Sequence, residues 1–412
     1  MLSIRGWIVL GSGIGLWIAA RMIGSPSLHI VAVGLVLTPV IAWGFVVVTR
    51  HRMNVTRRLS ATKAPLGQRL TVDLEIENRS PSTTSFVLVE DRVPAALGRS
   101  ARMVLTGLPG HNSQHVRYPV TARARGRYAI GPLSLSLSDP FALTRIRLTF
   151  DHVDHVVIFP EVEDLDTGVA SPFGAGRGRS LSRQLLPSGE EFYTMREYQI
   201  GDDLRRIHWP SVARRNRLMI RQDEASRRGT SALFIDTRAG ALGLTGEPGF
   251  ERAVSVAASL GVLMARSGFS VRLATSASRP RSVSQDQLLE NLSSLGHVHA
   301  SSLAESLVAL RAVAGGDSTL VVVTAPPGPR EIASLTRTGA AFGPKLAVLV
   351  YPVEPRALPA QGQSELEGRA SVARLSLMRA GWNVVVLSPS QRLKDTWRAS
   401  RATSLSPTGS SR

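Results

Sequence analysis

Two uncharged apolar runs near the amino terminus constrain the fold more than any other feature of this chain. The first covers residues 7–20, and the second, residues 28–48, is polar only at His29 and Thr38. A short Gly-Ser-Pro-Ser turn separates them. A helix needs about 20 apolar residues to cross the hydrocarbon core of a bilayer, and the second run meets that length by itself. The sequence therefore predicts a transmembrane helical hairpin over residues 1–50.

The charges that flank these runs predict an orientation. The turn between the runs carries only Arg21, whereas the second run is followed by Arg50, His51, Arg52, Arg57 and Arg58. By the positive-inside rule, the protein lies in the cell membrane with two helices and the bulk of the chain in the cytoplasm. A cleaved signal peptide over residues 1–20 is the alternative. The second run would then stop transfer, and the rest of the chain would still be cytoplasmic.

Length and composition limit the remaining possibilities. The chain has 412 residues, which leaves room for about two or three domains. It contains no cysteine, so disulfides, thiolate metal sites and thiol nucleophiles are excluded. The formal net charge is +18, which raises the question of a polyanionic partner.

Strand-like alternation dominates residues 51–162. Between residues 70 and 76, leucine, valine and isoleucine alternate with threonine, aspartate and glutamate. Comparable alternation recurs further along the chain, at residues 116–120, 133–137 and 146–150. Short strands that bury one face and are separated by Gly, Pro and Asp turns are typical of an antiparallel β-sandwich.

The rest of the chain divides into three segments. Residues 163–230 are an arginine-rich connector, in which Gly, Ser and Pro are also frequent. In residues 231–397, short apolar runs alternate with helical stretches, the clearest of them at 251–267. This alternation predicts an α/β domain with a mostly parallel sheet that is covered on both faces. The last segment, residues 398–412, is expected to be a disordered tail.

The densest polar cluster lies in the connector. Its candidate binding residues are Arg196, Glu197, Tyr198, Gly201, Asp202, Asp203, Arg205, His208, Trp209 and Arg214. One interpretation is a surface that binds an anion or a partner protein. The other is a structural network of arginine–carboxylate pairs that holds this segment onto the α/β domain, since such pairs often serve structure alone.

The cluster lies within the stretch REYQIGDDLRRIHWPSVARRNRLMIRQ, which resembles the domain of unknown function 58 family of bacterial membrane-associated proteins. The resemblance extends to residues 125–143 and 155–162. It implies a two-helix anchor, a β-sandwich and a von Willebrand factor A-like, Rossmann-like α/β domain. It also implies a partner, since family members often occur beside MoxR-type AAA+ ATPases and transglutaminase-like membrane proteins. The family has no settled biochemical activity.

The implied domain can be tested for its metal site. A competent site places Asp-x-Ser-x-Ser after the first strand, a Thr in a later loop and an Asp after a central strand, because such oxygens suit Mg²⁺. Here Asp236 follows the predicted first strand, but Arg238 and Gly240 stand in place of the two serines and Ala325 in place of the second Asp, so three oxygen ligands are lost. A guanidinium beside the carboxylate repels a cation. We therefore expect a degenerate site at Asp236, Thr237 and Arg238 with no metal and no cofactor, in which Asp236 pairs with Arg238 or caps the next turn.

Other ligand-like patterns are incomplete. His297 and His299 would share one face of an extended strand, but two imidazoles without a third and fourth ligand do not make a zinc site. The spaced glycines at residues 174–178 lack the strand and the Lys-Ser/Thr pair of a phosphate-binding loop.

Three functions remain under consideration. The first is a membrane-anchored, non-catalytic protein-interaction module, a partner or adaptor of a MoxR-type AAA+ ATPase in a cell-envelope or protein-maturation system. The second is a hydrolase that uses the acidic and histidine residues at 197–208 for general acid–base chemistry. The third is a basic binder of nucleic acid or anionic lipid. Aromatic residues are only 5% of the chain, which disfavours base stacking and hence nucleic acid.

Overall fold

The computed structural model describes most of the chain, namely residues 2–50, 53–81, 83–84, 86–139, 141–165, 193–198, 207, 209–215, 217–223, 229–299, 302–315 and 318–397. Contacts between residues divide the chain into an amino-terminal unit, Met1–Phe159, and a carboxy-terminal unit, Pro160–Arg412.

The amino-terminal unit begins with two helices, α1 (Ile4–Ile23) and α2 (Pro26–Arg50). The hydroxyl of Ser3 caps α1 by accepting the Gly6 N–H at 3.2 Å, and Gly24 ends the helix in the left-handed conformation. Both helices are long and apolar enough to cross a bilayer, as judged by length and composition. The prediction of two apolar amino-terminal helices is therefore confirmed.

Ten strands follow the helices and form three sheets, in the orders β1-β3-β6, β2-β10-β7 and β5-β4-β8-β9. The strands are β1 (Met53–Leu59), β2 (Lys63–Pro65), β3 (Arg69–Asn78), β4 (Phe86–Asp91), β5 (Ala101–Thr106), β6 (Asn112–Thr121), β7 (Gly126–Ile130), β8 (Leu133–Ser138), β9 (Arg145–Phe150) and β10 (Asp154–Phe159). Neighbouring strands are antiparallel except for β2 and β10, which are parallel.

The alternating sequence of these strands explains their burial. On β3, Leu70, Val72, Leu74 and Ile76 are buried, and the residues between them are partly or fully exposed. One hydrophobic cluster takes residues from all three sheets. The sheets therefore share a single core, as the period-two pattern requires.

A buried ion pair joins strands of the three sheets. The guanidinium of Arg57 on β1 donates to Asp91 on β4 at 2.6 and 3.0 Å and to Asp154 on β10 at 2.9 Å. The hydroxyl of Tyr118 on β6 donates to Asp91 at 2.6 Å. Burial works to lower the pKa of Arg57, but its hydrogen bonds to Asp91 and Asp154 hold that pKa above the usual value. Burial first, and Asp91 second, raise the pKa of Tyr118.

The carboxy-terminal unit contains a small two-stranded sheet within the segment predicted as the connector. Strands β11 (Tyr193–Glu197) and β12 (Met219–Asp223) are antiparallel, and helix α3 (Trp209–Arg215) lies between them in sequence. The backbone N–H of Tyr198 donates to the carbonyl of Leu218 at 2.9 Å. Part of the REYQIGDDLRRIHWPSVARRNRLMIRQ stretch therefore lies on an antiparallel pair of strands.

The main sheet of this unit has six strands in the order β15-β14-β13-β16-β17-β18. They are β13 (Thr230–Ile235), β14 (Ser270–Thr275), β15 (Arg281–Val283), β16 (Thr319–Thr324), β17 (Lys345–Val350) and β18 (Asn383–Leu387), and only the edge strand β15 is antiparallel. The helices are α4 (Ala239–Leu242), α5 (Pro248–Arg266), α6 (Gln285–Ser293), α7 (Leu303–Val308), α8 (Pro329–Gly339) and α9 (Ala360–Arg379), with 3₁₀ turns at Ala309–Val313 and Pro355–Ala357.

The strands in the middle of this sheet are buried because helices cover both of its faces. Every residue of β16 is buried, as expected when helices cover both faces of a parallel sheet. Helix α5 is buried along most of its length. A side chain at Gly261 on α5 would collide with Leu288, so this glycine permits the close approach of α5 to α6.

Candidate functional site

The carboxyl ends of three neighbouring strands meet in the middle of the main sheet. Asp236 and Thr237 follow β13, Ser276 follows β14, and Thr324 is the last residue of β16. Strand β13 lies between β14 and β16, so the chain leaves β13 for one side of the sheet and later crosses to the other. In open parallel sheets such a reversal of strand order opens a crevice where ligands bind.

The carboxylate of Asp236 is buried and accepts five hydrogen bonds. Its Oδ1 accepts from the backbone N–H of Arg238 at 3.1 Å, from Arg238 Nε at 3.0 Å and from the Ser276 hydroxyl at 3.0 Å. Its Oδ2 accepts from Arg238 Nη2 at 2.8 Å and from the Thr324 hydroxyl at 2.8 Å. The predicted pairing of Asp236 with Arg238 is present, and the two hydroxyls complete the shell around the carboxylate.

Arg238 links this carboxylate to the next helix. Its Nη2 forms an ion pair with Glu331 Oε1 at 2.7 Å, and the other oxygen of Glu331 accepts the backbone N–H of Gly328 at 2.9 Å, at the start of α8. Burial works to lower the pKa of Arg238, but hydrogen bonds and charge from Asp236 and Glu331 hold it above the usual value. We call Asp236, Arg238, Ser276, Thr324 and Glu331 the Asp236 cluster.

The donor set of the Asp236 cluster does not suit a divalent cation. Both oxygens of Asp236 are already bonded to a guanidinium and to hydroxyls, and the fixed positive charge lies within 3.0 Å of the carboxylate. A second cation at this distance would be repelled. Arg238 thus occupies the place in which an ion would balance the carboxylate.

Two groups of the site keep unused hydrogen-bonding capacity. Arg238 Nη1 has no hydrogen-bond partner within the described part of the chain, and the side chain is 11% exposed. The hydroxyl of Thr237 is buried and has no partner among the described residues. The N–H groups of Arg238 Nη1, at the edge of the sheet, thus have no acceptor among the residues that the structure describes.

The loop that carries the site is held by the segment around Val298. The backbone N–H of Val298 donates to the carbonyl of Thr237 at 2.8 Å, and Ala239 donates to the carbonyl of Val298 at 2.9 Å. Next to it, the rings of His297 and His299 lie 5.3 Å apart, edge to face. His297 Nδ1 accepts the backbone N–H of Thr245 at 3.1 Å. The described contacts of this segment therefore hold the loop after β13 in position.

A cavity of about 620 Å³ adjoins the cluster, because Ser276 also lines it. Hydroxyls from Ser302 and Ser306, the guanidinium of Arg279 and the carboxylate of Glu305 contribute polar groups to its wall. Ligand pockets of this size that combine apolar lining with a few polar groups are common in binding proteins.

The polar cluster at 196–214 is described in part. Glu197 pairs with Arg217 at 2.7 Å, and both side chains are mostly exposed, which makes the contribution of the pair to stability small. Trp209 is 66% exposed at the start of α3, Arg214 is exposed, and Tyr198 is half-buried. Arg196 lies on β11 opposite Ile220. Gly201, Asp202, Asp203, Arg205 and His208 lie outside the described residues, so both interpretations of this cluster stay predictions.

Three members of the Asp236 cluster were not foreseen from the sequence: Ser276, Thr324 and Glu331. A signal existed for two of them, since Ser276 and Thr324 are hydroxyl residues at the carboxyl ends of buried strands. Glu331 stands three residues after Gly328 and two after Pro329, a spacing typical of a helix amino terminus.

Comparisons with known proteins agree with the family resemblance drawn from the motif. Residues 194–382 match the family described as "Protein of unknown function DUF58". This match contains the two-stranded sheet except for Tyr193, the Asp236 cluster and five of the six strands of the main sheet. The chain is also 22% identical over 214 residues to "Uncharacterized protein YeaD" of Bacillus subtilis (strain 168), covering 50% of this chain and 52% of that protein. The chain thus spans about half the length of this curated relative.

Two of the solved structures that resemble part of this chain are remote likenesses. The CARDB domain of the PF1109 protein from Pyrococcus furiosus aligns with a TM-score of 0.19 and 8% identity, covering 26% of this chain and 93% of that one. The Pseudomonas fluorescens alkylpurine DNA glycosylase AlkC aligns with a TM-score of 0.18 and 13% identity, covering 32% and 39%. At these TM-scores the likenesses carry no functional argument.

Proposed function

We propose that this chain is a membrane-anchored, non-catalytic protein-interaction module that binds its partner at the Asp236 cluster without a metal ion. One observation carries the proposal: a guanidinium and two hydroxyls enclose the Asp236 carboxylate at the reversal of strand order. A carboxylate with five hydrogen bonds is a poor general base or nucleophile, because a reacting proton or carbon must displace one of them. The N–H groups of Arg238 Nη1, which have no acceptor among the described residues, suit recognition of a carboxylate or carbonyl on a partner.

The two units also have a proposed domain architecture. We take the amino-terminal sheets as a β-sandwich over residues 51–162 and the α/β region at 231–397 as a von Willebrand factor A-like, Rossmann-like domain. The shared core of the three sheets supports the first assignment. The parallel order of the main sheet and the aspartate after its first strand support the second.

The anchor in this proposal is a double-pass hairpin with the bulk of the chain in the cytoplasm. The backbone N–H of Ser3 donates to the carbonyl of Leu143 at 2.7 Å, so the start of α1 lies beside the β-rich region that follows α2. Both ends of the helical pair are then on the same side of the membrane. Trp7, Ile30 and Ile41 are among the large apolar side chains that the helices leave exposed, as contact with lipid requires.

The proposed partner is a MoxR-type AAA+ ATPase in a cell-envelope or protein-maturation system, and a transglutaminase-like membrane protein is the second candidate. Both come from the family resemblance. Among the described residues, no observation favours the hydrolase, the nucleic-acid binder or the lipid-headgroup binder over this function.

Co-purification tests the proposal. The full chain in detergent is mixed with a MoxR-type ATPase from the same organism, and the affinity is compared for the wild type, Arg238→Ala and Arg102→Ala. We expect Arg238→Ala to weaken binding at least tenfold, whereas Arg102→Ala, which breaks an exposed ion pair with Glu90 outside both candidate sites, leaves it unchanged. Equal binding by folded Arg238→Ala and wild type, or no binding by the wild type, would refute the proposal.

A further inference from the structure

Helix α9 has an exposed apolar stripe opposite its buried side. Ala370, Ala373 and Leu377 are buried against the sheet and its neighbours. On the outer side, Val372 is 58% exposed, Leu375 56% and Met378 49%. Single exposed apolar residues are common, but a contiguous stripe on one helix face is typical of an interface.

The same face carries opposite charges at its two ends. Glu365 lies two helical turns before Val372, and Arg379 lies two turns after it, so all three residues share one face of the helix. Glu365 accepts a hydrogen bond from Gln361 at 3.2 Å. Neither Glu365 nor Arg379 forms an ion pair with another residue in the described part of the chain. We call Glu365, Gly368, Val372, Leu375, Met378 and Arg379 the α9 outer face.

An antiparallel second copy is complementary to this face. If a two-fold axis passes near Val372, Glu365 of each copy comes opposite Arg379 of the other, because both lie about 10 Å along the helix from the axis. Leu375 then lies beside Gly368 of the other copy. The space around Gly368 is open, with no atom within 4 Å of where a Cβ would lie. A parallel arrangement would instead place like charges together.

We propose that two copies of this chain associate through the α9 outer face, with the two α9 helices antiparallel. The contact is isologous, so a single self-complementary patch supplies the apolar centre and both pairs of opposite charges. This inference is independent of the function proposed above, since α9 carries no residue of the Asp236 cluster.

The absence of cysteine from the chain makes a site-specific test possible. In Val372→Cys, the two introduced thiols lie near the axis, and facing residues of packed helices approach within reach of a disulfide. We expect oxidation of the full chain in nanodiscs holding two copies to give a covalent dimer on a non-reducing gel. Val308→Cys is the matched control, an equally exposed valine on α7 that lies outside the stripe. It should give at least tenfold less dimer.

Charge reversal identifies the occupant of the face. In the Val372→Cys background, Glu365→Arg and Arg379→Glu should each lower cross-linking at least tenfold, and the double variant should restore it to within threefold of the parent. A folded Val372→Cys protein that does not cross-link more than Val308→Cys would overturn the proposal. So would a double variant no better than the singles, because a different protein or a lipid surface on this face would not recover when both charges are exchanged.

Discussion

Two buried arginine–carboxylate pairs of this chain have similar chemistry but different positions in the fold. Arg57 and Asp91 lie among strands of three sheets, and Arg57 Nη1 also donates to two backbone carbonyls. In the pair of Asp236 and Arg238, both residues lie beyond the end of a strand, and one guanidinium nitrogen has no partner in the described part of the chain. In the first pair, which we call saturated, every guanidinium nitrogen has an acceptor, as is typical of a structural role. In the second pair, one guanidinium nitrogen is left without an acceptor among the described residues, at the edge of a sheet where ligands bind.

The largest expected effect concerns the saturated pair. Arg57→Met leaves Asp91 buried without its charge partner, and we expect the free energy of unfolding of the amino-terminal unit to fall by about 3–5 kcal/mol. Hydrogen exchange of peptides from β4 and β6 measures this loss. Arg102→Met, which breaks an exposed pair with Glu90, is the control and should change stability by less than about 1 kcal/mol. Equal effects of the two variants would contradict a structural role for Arg57.

The second prediction concerns the pair at the sheet edge. Arg238→Met should lower the free energy of unfolding of the carboxy-terminal unit by about 2–4 kcal/mol, less than Arg57→Met, because Asp236 keeps its bonds from Ser276 and Thr324. Exchange of peptides from β13 and β16 reports the change. Arg238→Met should also lose binding of the proposed partner, whereas Arg57→Met should still bind it under conditions in which the protein is folded. Equal loss of partner binding by the two variants would contradict the assignment of different roles to the two pairs.

The third prediction compares the stability contributions of the hydroxyls of Thr324 and Thr237. Thr324→Val removes a hydrogen bond to a buried carboxylate and should cost about 1.5–3 kcal/mol. Thr237→Val removes a buried hydroxyl without a described partner, so its effect should lie within about 0.5 kcal/mol or be stabilising. Thermal unfolding of the two variants in the same detergent gives the difference. A larger loss for Thr237→Val would mean that its hydroxyl has a partner in the folded protein.

The smallest expected effect is a dependence on pH in the amino-terminal unit. The pKa of Tyr118 is raised by burial and by Asp91, so the folded state keeps the phenolic proton at a pH where the unfolded chain has lost it. Stability should therefore be constant below pH ~10 and fall above it by up to about 1.4 kcal/mol per pH unit from this group. Tyr118→Phe should remove this slope, as measured by unfolding at several pH values between 9 and 11. An unchanged slope in Tyr118→Phe would assign it to other groups.

The sequence was informative wherever a signal is local. Period-two alternation located strands such as β3, and uncharged length located α1 and α2. The pairing of Asp236 with Arg238 was also accessible, because the two residues are only two positions apart. In each of these cases the interacting groups are close in sequence.

Contacts between residues that are far apart in sequence could not be predicted from such local signals. Ser276 and Thr324 reach Asp236 from 40 and 88 positions further along the chain. Their places depend on the order of strands in the sheet, which one sequence does not specify. The predicted cluster at 196–214 shows the converse: its spacing is distinctive, but the geometry that would decide its role involves residues outside the described ones.

The covalent attachment of the Arg238 guanidinium has a consequence for regulation. A magnesium ion in such a position would exchange with the medium, and its occupancy would follow the supply of magnesium and the presence of chelators. The Arg238 side chain, in contrast, is part of the chain and cannot be removed from the folded protein. If this surface binds a partner as proposed, its control would come from competition for the Arg238 guanidinium, with which Glu331 already pairs at 2.7 Å, and not from depletion of an ion.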